Sequence, residues 1–150
     1  MASKYEDLSD EDLTRLNAQR KWVLDHYDDH RHAESVEGKL RLLSVIVEKK
    51  WIEPDETVKL QSLGIVFGDA LVQELSLKWM MVDDECGRDP VLILDGTTLR
   101  LNPLTMISKR IERGEDVDVV ALFGMACGHV RALARNPGIK RTAAESERGE

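Results

Sequence analysis

Apolar positions along the chain recur at helical spacing through its first half, switch to strand-like runs near the middle, and return to helical spacing afterwards. Leu13, Leu16, Val23 and Tyr27, with Trp22 beside them, form the first stripe. Ser9 and Asp12 resemble a capping box, and Asp10 and Glu11 suit the positive end of a helix dipole. The pattern predicts a helix from this cap to about His30, preceded by a polar, loose stretch over residues 1–8. Ser35 is placed to cap a second helix carrying Val36, Leu40, Leu43, Ile46 and Val47, which ends at Glu48-Lys49-Lys50 and is closed by Trp51.

Glu53-Pro54-Asp55-Glu56 is a helix-start signature, because proline suits the first helical position and carboxylates the first turn. The helix it opens is the centre of the chain. Leu63, Val66, Phe67, Ala70 and Leu71 share one face, and the helix stops at Leu75. Gly64 and Gly68 sit on the adjoining face, where each glycine costs about 1 kcal/mol relative to alanine, so a close neighbour is expected there. A second pair, Gly124 and Gly128, recurs near the end of the chain. The two helices are expected to cross at these glycines, or one to lie flat on the sheet; the alternative is that the pairs make room for large side chains such as Trp79 or Phe123.

Leu77–Val82 reads as a strand whose two faces are both partly covered, since Met80 and Val82 are apolar as well as Trp79 and Met81. A polar turn over Asp83–Asp89 precedes Pro90 and the run Val91–Leu94. Asp95-Gly96 is the best hairpin dipeptide of the chain and leads into a third strand, Thr97–Leu101. Asn102-Pro103 starts a short helix through Leu104, Ile107 and Ile111 to Arg113, stopped by Gly114. Asp116 or Asp118 caps a last helix, apolar around most of its circumference and therefore expected to be well buried, which Asn136-Pro137-Gly138 terminates. The fold class is α+β: a helical N-terminal half, a three-stranded antiparallel meander, and two C-terminal helices packed on the sheet. One domain is expected over residues 1–136, with a polar, disordered tail over 137–150.

Composition narrows the function classes. The 150 residues, 42% of them hydrophobic, suffice for one core. A formal charge of −7 argues against general affinity for nucleic acid or anionic membrane and favours a basic partner or a metal-bearing one. The opening Met1-Ala2-Ser3-Lys4 is no secretory signal and no apolar run reaches membrane-span length, so a cytoplasmic location is expected, with Cys86 and Cys127 reduced.

Candidate chemistry is sparse. His26, His30 and His32, among Asp25, Asp28 and Asp29, have spacing compatible with a divalent metal, although a solvated helix end carries the same residues. The acidic turn around Asp83, Asp84, Glu85 and Asp89 lacks the ligand alternation of a calcium loop. Arg100 on the third strand is expected to point toward the following helix, where it and Arg110 are candidate anchors for an anion or a partner. Cys127 and His129 flank Gly128, but an apolar helical run makes Cys127 a core residue rather than a nucleophile. Nucleophile-elbow, phosphate-loop and dinucleotide motifs are absent.

Leu63-Gly64, Phe67-Gly68-Asp69, Trp79, Leu101-Asn102-Pro103 and Arg110-Ile111-Glu112 together resemble the bacterial family called domain of unknown function 3806, over roughly residues 35–125. That resemblance implies a small bacterial cytosolic domain and brings no catalytic residue or cofactor. The expectation is a non-enzymatic protein-interaction module, one form of which is an immunity- or antitoxin-like inhibitor masking a basic toxin. The competing expectations are a small-ligand or metal-binding protein using the histidines or Arg100 and Arg110, and a homodimer formed through whichever of Leu77–Val82 or Thr97–Leu101 is the exposed strand.

Overall fold

The computed structural model describes residues 4–27, 34–85, 87–94, 97 and 99–135. His30, His32, the Asp95-Gly96 turn and the tail from 137 onward lie outside the described residues. In chain order the elements are β1 (Lys4–Glu6), α1 (Asp10–Tyr27), α2 (Val36–Glu48), α3 (Thr57–Leu75), β2 (Leu77–Asp84), β3 (Gly87–Leu94), β4 (Arg100–Leu101), α4 (Pro103–Glu112) and α5 (Val119–Ala134). The fold is α+β, but the antiparallel sheet has four strands in the order β1-β2-β3-β4, not three.

The added strand is the stretch expected to be loose. Tyr5 lies opposite Val82 in an antiparallel ladder with β2. Its three residues carry no hydrophobic alternation, so no pattern announced it; contacts distant in sequence hold it instead. Arg88 Nε lies 3.3 Å from Glu6 Oε1, and Lys78 Nζ lies 3.1 Å from Asp7 Oδ1. The turn after β2 is also tighter than expected. Asp83 pairs with Arg88 and Asp84 with Gly87, so the ladder runs past Pro90, and opposite charges face each other across it. Proline is tolerated at position 90 because β4 pairs only with Leu92 and Ile93, leaving that flank of β3 without a ladder. The third expected strand is correspondingly short. Buried Thr97 takes over as a turn organiser, its hydroxyl donating to the Leu94 carbonyl at 2.8 Å and accepting from Leu99 N at 3.1 Å. With β2 flanked on both sides, the strand edges belong to β1 and β4, whose brevity limits edge pairing.

α3 is the core. Leu60, Leu63, Ile65, Val66, Phe67, Ala70 and Leu71 are all buried, with α1, α2, α4, α5 and β2 packed around it. The sheet's inner face adds Leu77, Trp79, Leu92 and Leu101 to this core, while Val82, Val91 and Ile93 form a small second cluster with Met80 on the opposite face, as the apolar character of both faces of β2 predicts. No helix among the described residues is long and apolar enough to cross a membrane.

The glycine pairs behave differently from each other. A Cβ at Gly64 would stand 2.5 Å from the Pro103 carbonyl oxygen and 2.6 Å from Leu104 Cα; at Gly68 it would stand 2.6 Å from Cζ2 of Trp79. The α3 notch therefore seats the first turn of α4 and an indole ring. Gly124 and Gly128 are exposed, with nothing within 4 Å of the added atom, so the expected crossing of the two helices at their glycines does not occur. Instead α5 packs through Val119, Leu122, Phe123, Ala126, Cys127 and Val130, with Phe123 edge-on to Phe67 at 5.9 Å. Its other face is open, with Val120 58% and Met125 66% exposed, so the helix is less deeply buried than its composition suggested.

The N-terminal cap of α1 is a buried charge cluster. Ser9 N donates to Asp12 Oδ2 at 2.9 Å and Asp12 N to Ser9 Oγ at 3.1 Å, closing the expected capping box. Asp12 is 2% exposed and also accepts both terminal nitrogens of Arg88, at 2.6 and 2.8 Å. These hydrogen bonds, that of Arg88 first and that of the Ser9 amide next, hold the Asp12 carboxyl far below its ordinary value of 3.8, against the opposing effect of burial. Because the folded carboxyl titrates below the unfolded one, its contribution is fully present above the unfolded value and is lost as the pH falls toward the folded one. Asp12→Asn is accordingly expected to lower the urea midpoint most at pH 7, somewhat less at pH 3 and least at pH 2. An equal gap at all three pH values would show that the charge of Asp12 does not stabilise the fold.

Candidate functional site

Two helix-ending turns build a concave surface. α2 closes with Lys50 in the left-handed region, at φ 55°, as Lys50 N donates to the Val47 carbonyl at 3.1 Å and Trp51 N to Ile46 at 3.3 Å. This reversal drops Ile52 into the interior. α4 closes the same way. Gly114 takes φ 79°, a value at which a side chain would be strained, while Gly114 N donates to Ile111 at 3.0 Å and Glu115 N to Arg110 at 2.9 Å. Asp118, rather than Asp116, then caps α5 by accepting from Ala121 N at 3.0 Å.

Between these turns lies a cleft of about 780 Å³, within the range of ligand sites. Ile46, Ile52, Leu60 and Leu63 form its floor, and Ile111 and Val117 line it further. Glu48, Glu53, Glu115, Asp116 and Asp118 surround it, with Lys50 the single cation among the described residues that line it. Glu115 is partly neutralised by Arg113 Nε at 3.2 Å. Among the described residues, Glu48, Glu53 and Asp116 have no cationic partner. An apolar floor under a rim of carboxylates can receive a group that is both oily and positively charged, such as the stem and head of a lysine or arginine. Residue pattern did not reveal this site, because its acids come from two turns separated by more than sixty positions; each turn was legible alone, and their meeting was not.

The residues singled out from sequence fall elsewhere. His26 is exposed, its Nδ1 donating to the Trp22 carbonyl at 3.0 Å and its ring 4.8 Å from that of Trp22. It belongs to an aromatic group in which Tyr27 stacks on Trp51 at 5.6 Å and Lys59 Nζ sits 5.9 Å from the Trp22 ring. Among the described residues no three His, Cys, Asp or Glu side chains are grouped to hold a metal ion. Cys127 is buried, and burial pushes its thiol up, while His129 is exposed on another face of α5, so the two do not form a nucleophile and base. Arg100 and Arg110 do come together. Both line a shallow groove of about 310 Å³ with Asn102, Thr105, Lys109 and Arg113, so the strand-to-helix placement expected of Arg100 holds.

The model of the family described as domain of unknown function (DUF3806) matches residues 39–123. A crystal structure of a protein from Bacteroides thetaiotaomicron VPI-5482 superimposes with a TM-score of 0.74 at 16% identity, over 86% of this chain and 48% of that one. The likeness is one of fold, and this chain spans about half the length of that protein. No curated protein matches the chain.

Proposed function

The chain belongs to the DUF3806 family, whose membership carries no assigned activity, and from that premise we propose that it is a non-enzymatic protein-interaction module taking a basic, amphipathic segment of another protein into the acid-rimmed cleft. The observation that carries this reading is the juxtaposition of an apolar floor at Ile46, Ile52 and Leu60 with the carboxylates of Glu48, Glu53 and Asp116. The net charge of −7 supports it, since the field of the whole chain steers a cationic partner inward. An immunity- or antitoxin-like inhibitor of a basic toxin in the cytoplasm is one form of the same reading.

A photoreactive residue in place of Ser44, which lines the cleft, tests it in the bacterial cell. The expected result is a discrete crosslinked protein that disappears when Glu53→Lys and Asp116→Lys are combined. Purified with that partner, the wild-type chain should associate about ten-fold more slowly when salt is raised from low to physiological, as screening shortens the reach of the rim. An unchanged crosslink in the charge-reversed variant would remove the cleft from consideration.

A further inference from the structure

The groove beside α4 carries a second, opposite chemistry. Asn102, Met106 and Arg110, and beside them Thr105, Lys109 and Arg113, recur at four-residue steps, so they run along one side of the helix for about 16 Å at 1.5 Å per residue. Arg100 approaches them from β4, and among the described residues no carboxylate lines the space between. This is unexpected in a chain with 28 acidic and 21 basic residues, where a cation generally finds an acid close by.

Hydrogen bonding leaves these cations short of negative charge. Arg110 is half-buried and donates from one terminal nitrogen to the Met106 carbonyl at 2.9 Å. Arg100, also half-buried, lies 3.4 Å from the Tyr5 hydroxyl. Arg113 has Glu115, but among the described residues Arg100, Lys109 and Arg110 have no carboxylate partner. Two guanidinium groups held partly out of water without a counter-anion raise the local potential, and their planar forks suit bidentate binding of oxyanions. The neutral donors of Asn102 and Thr105 stand at the same wall. A volume of about 310 Å³ admits a small anion. A long polyanion would meet the repulsion of the acidic remainder.

We infer that the groove formed by Arg100, Lys109 and Arg110 binds a compact oxyanion bearing two or more negative charges, of the phosphoryl or polycarboxylate kind. Isothermal titration of the full chain with pyrophosphate and, separately, with citrate distinguishes the two sources. Saturable binding of either one is expected, weakened ten-fold or more in the Arg100→Gln/Arg110→Gln double variant and by a smaller factor in Lys109→Gln, whose side chain is exposed. Pyrophosphate binding alone would assign a phosphoryl ligand and citrate binding alone a carboxylate one. Failure of both to bind at millimolar concentration, or equal binding by a double variant with wild-type circular dichroism, would overturn the site. Because no residue of the groove lines the cleft described above, either result leaves the crosslinking test of that cleft unaffected.

Discussion

Gly64→Ala is expected to destabilise the protein by about 2 kcal/mol, and Gly124→Ala to stabilise it by up to about 1 kcal/mol. The chemistry of the two changes is identical, so the difference isolates what surrounds each helix. At Gly64 the added carbon would lie 2.5 Å from the Pro103 carbonyl oxygen and within 2.9 Å of two Leu104 backbone atoms. Backbone cannot rotate aside as a long side chain can, so α4 must move away from α3 and open the contact around buried Ile107. Overpacking of this kind costs about 1–3 kcal/mol or more, which outweighs the propensity gain of about 1 kcal/mol. At Gly124 there is nothing within 4 Å, and only the propensity gain remains. Urea unfolding of both variants, with equal slopes, measures the contrast. Equal stability of Gly64→Ala and the parent chain would mean that α4 slides freely on α3 and that the notch is not a fixed seat.

The same contact explains what the family resemblance describes. Gly64 seats Pro103 and Leu104, Gly68 seats Trp79 and Pro103, and Asp69 receives the Trp79 indole N–H at 3.1 Å. Residues far apart in the sequence thus meet where α3, β2 and α4 join. Their spacing encodes the packing of a fold, and the surfaces proposed to bind ligands lie mostly outside them: of the residues that carry the resemblance, Leu63 and Ile111 reach the acidic cleft, and Leu101, Asn102 and Arg110 reach the cationic groove. A fold-level signature of this kind is compatible with different partners for different members.

Elements with strong local signals were legible in the chain. The Ser9 and Asp12 capping box, the Ser35 cap, Pro103 at the start of α4 and Gly114 at its end all act as their residue types predict. What escaped depends on partners distant in sequence. β1 is held by Arg88 and Lys78, which lie over seventy positions away, and its own residues carry no strand pattern. The Gly124 and Gly128 pair reads like the Gly64 and Gly68 pair because spacing records which residues share a face but not what that face meets. The acidic cleft escaped for a related reason, since Glu53 and Asp116 become neighbours only when two helix-ending turns converge. Arg100 and Arg110 were accessible because the Asn102-Pro103 start of α4 follows β4 directly, which confines both to one corner of the fold.

Asp69→Ala should cost about 2–3 kcal/mol, because one carboxylate serves three elements. It accepts from Arg20 Nη2 at 2.8 Å and from the neighbouring Nε, tying α1 to α3, and from Trp79 Nε1 at 3.1 Å, tying α3 to β2. Removing it leaves a guanidinium and an indole N–H without their acceptor. The side chains of Arg20 and Asp69 are 27% and 16% exposed, so water recovers part of the loss, which keeps the expected cost below that of a fully buried pair. Asp69→Asn retains an acceptor for the indole but loses the charge opposite Arg20, and should fall between the parent chain and Asp69→Ala. A double-mutant cycle with Arg20→Ala separates the two bonds: a coupling of about 1 kcal/mol between positions 20 and 69 is expected, the remainder belonging to Trp79. If Asp69→Ala unfolds within about 0.5 kcal/mol of the parent chain, the two interactions it makes are each replaceable by solvent, and the junction of α1, α3 and β2 is held by apolar packing alone.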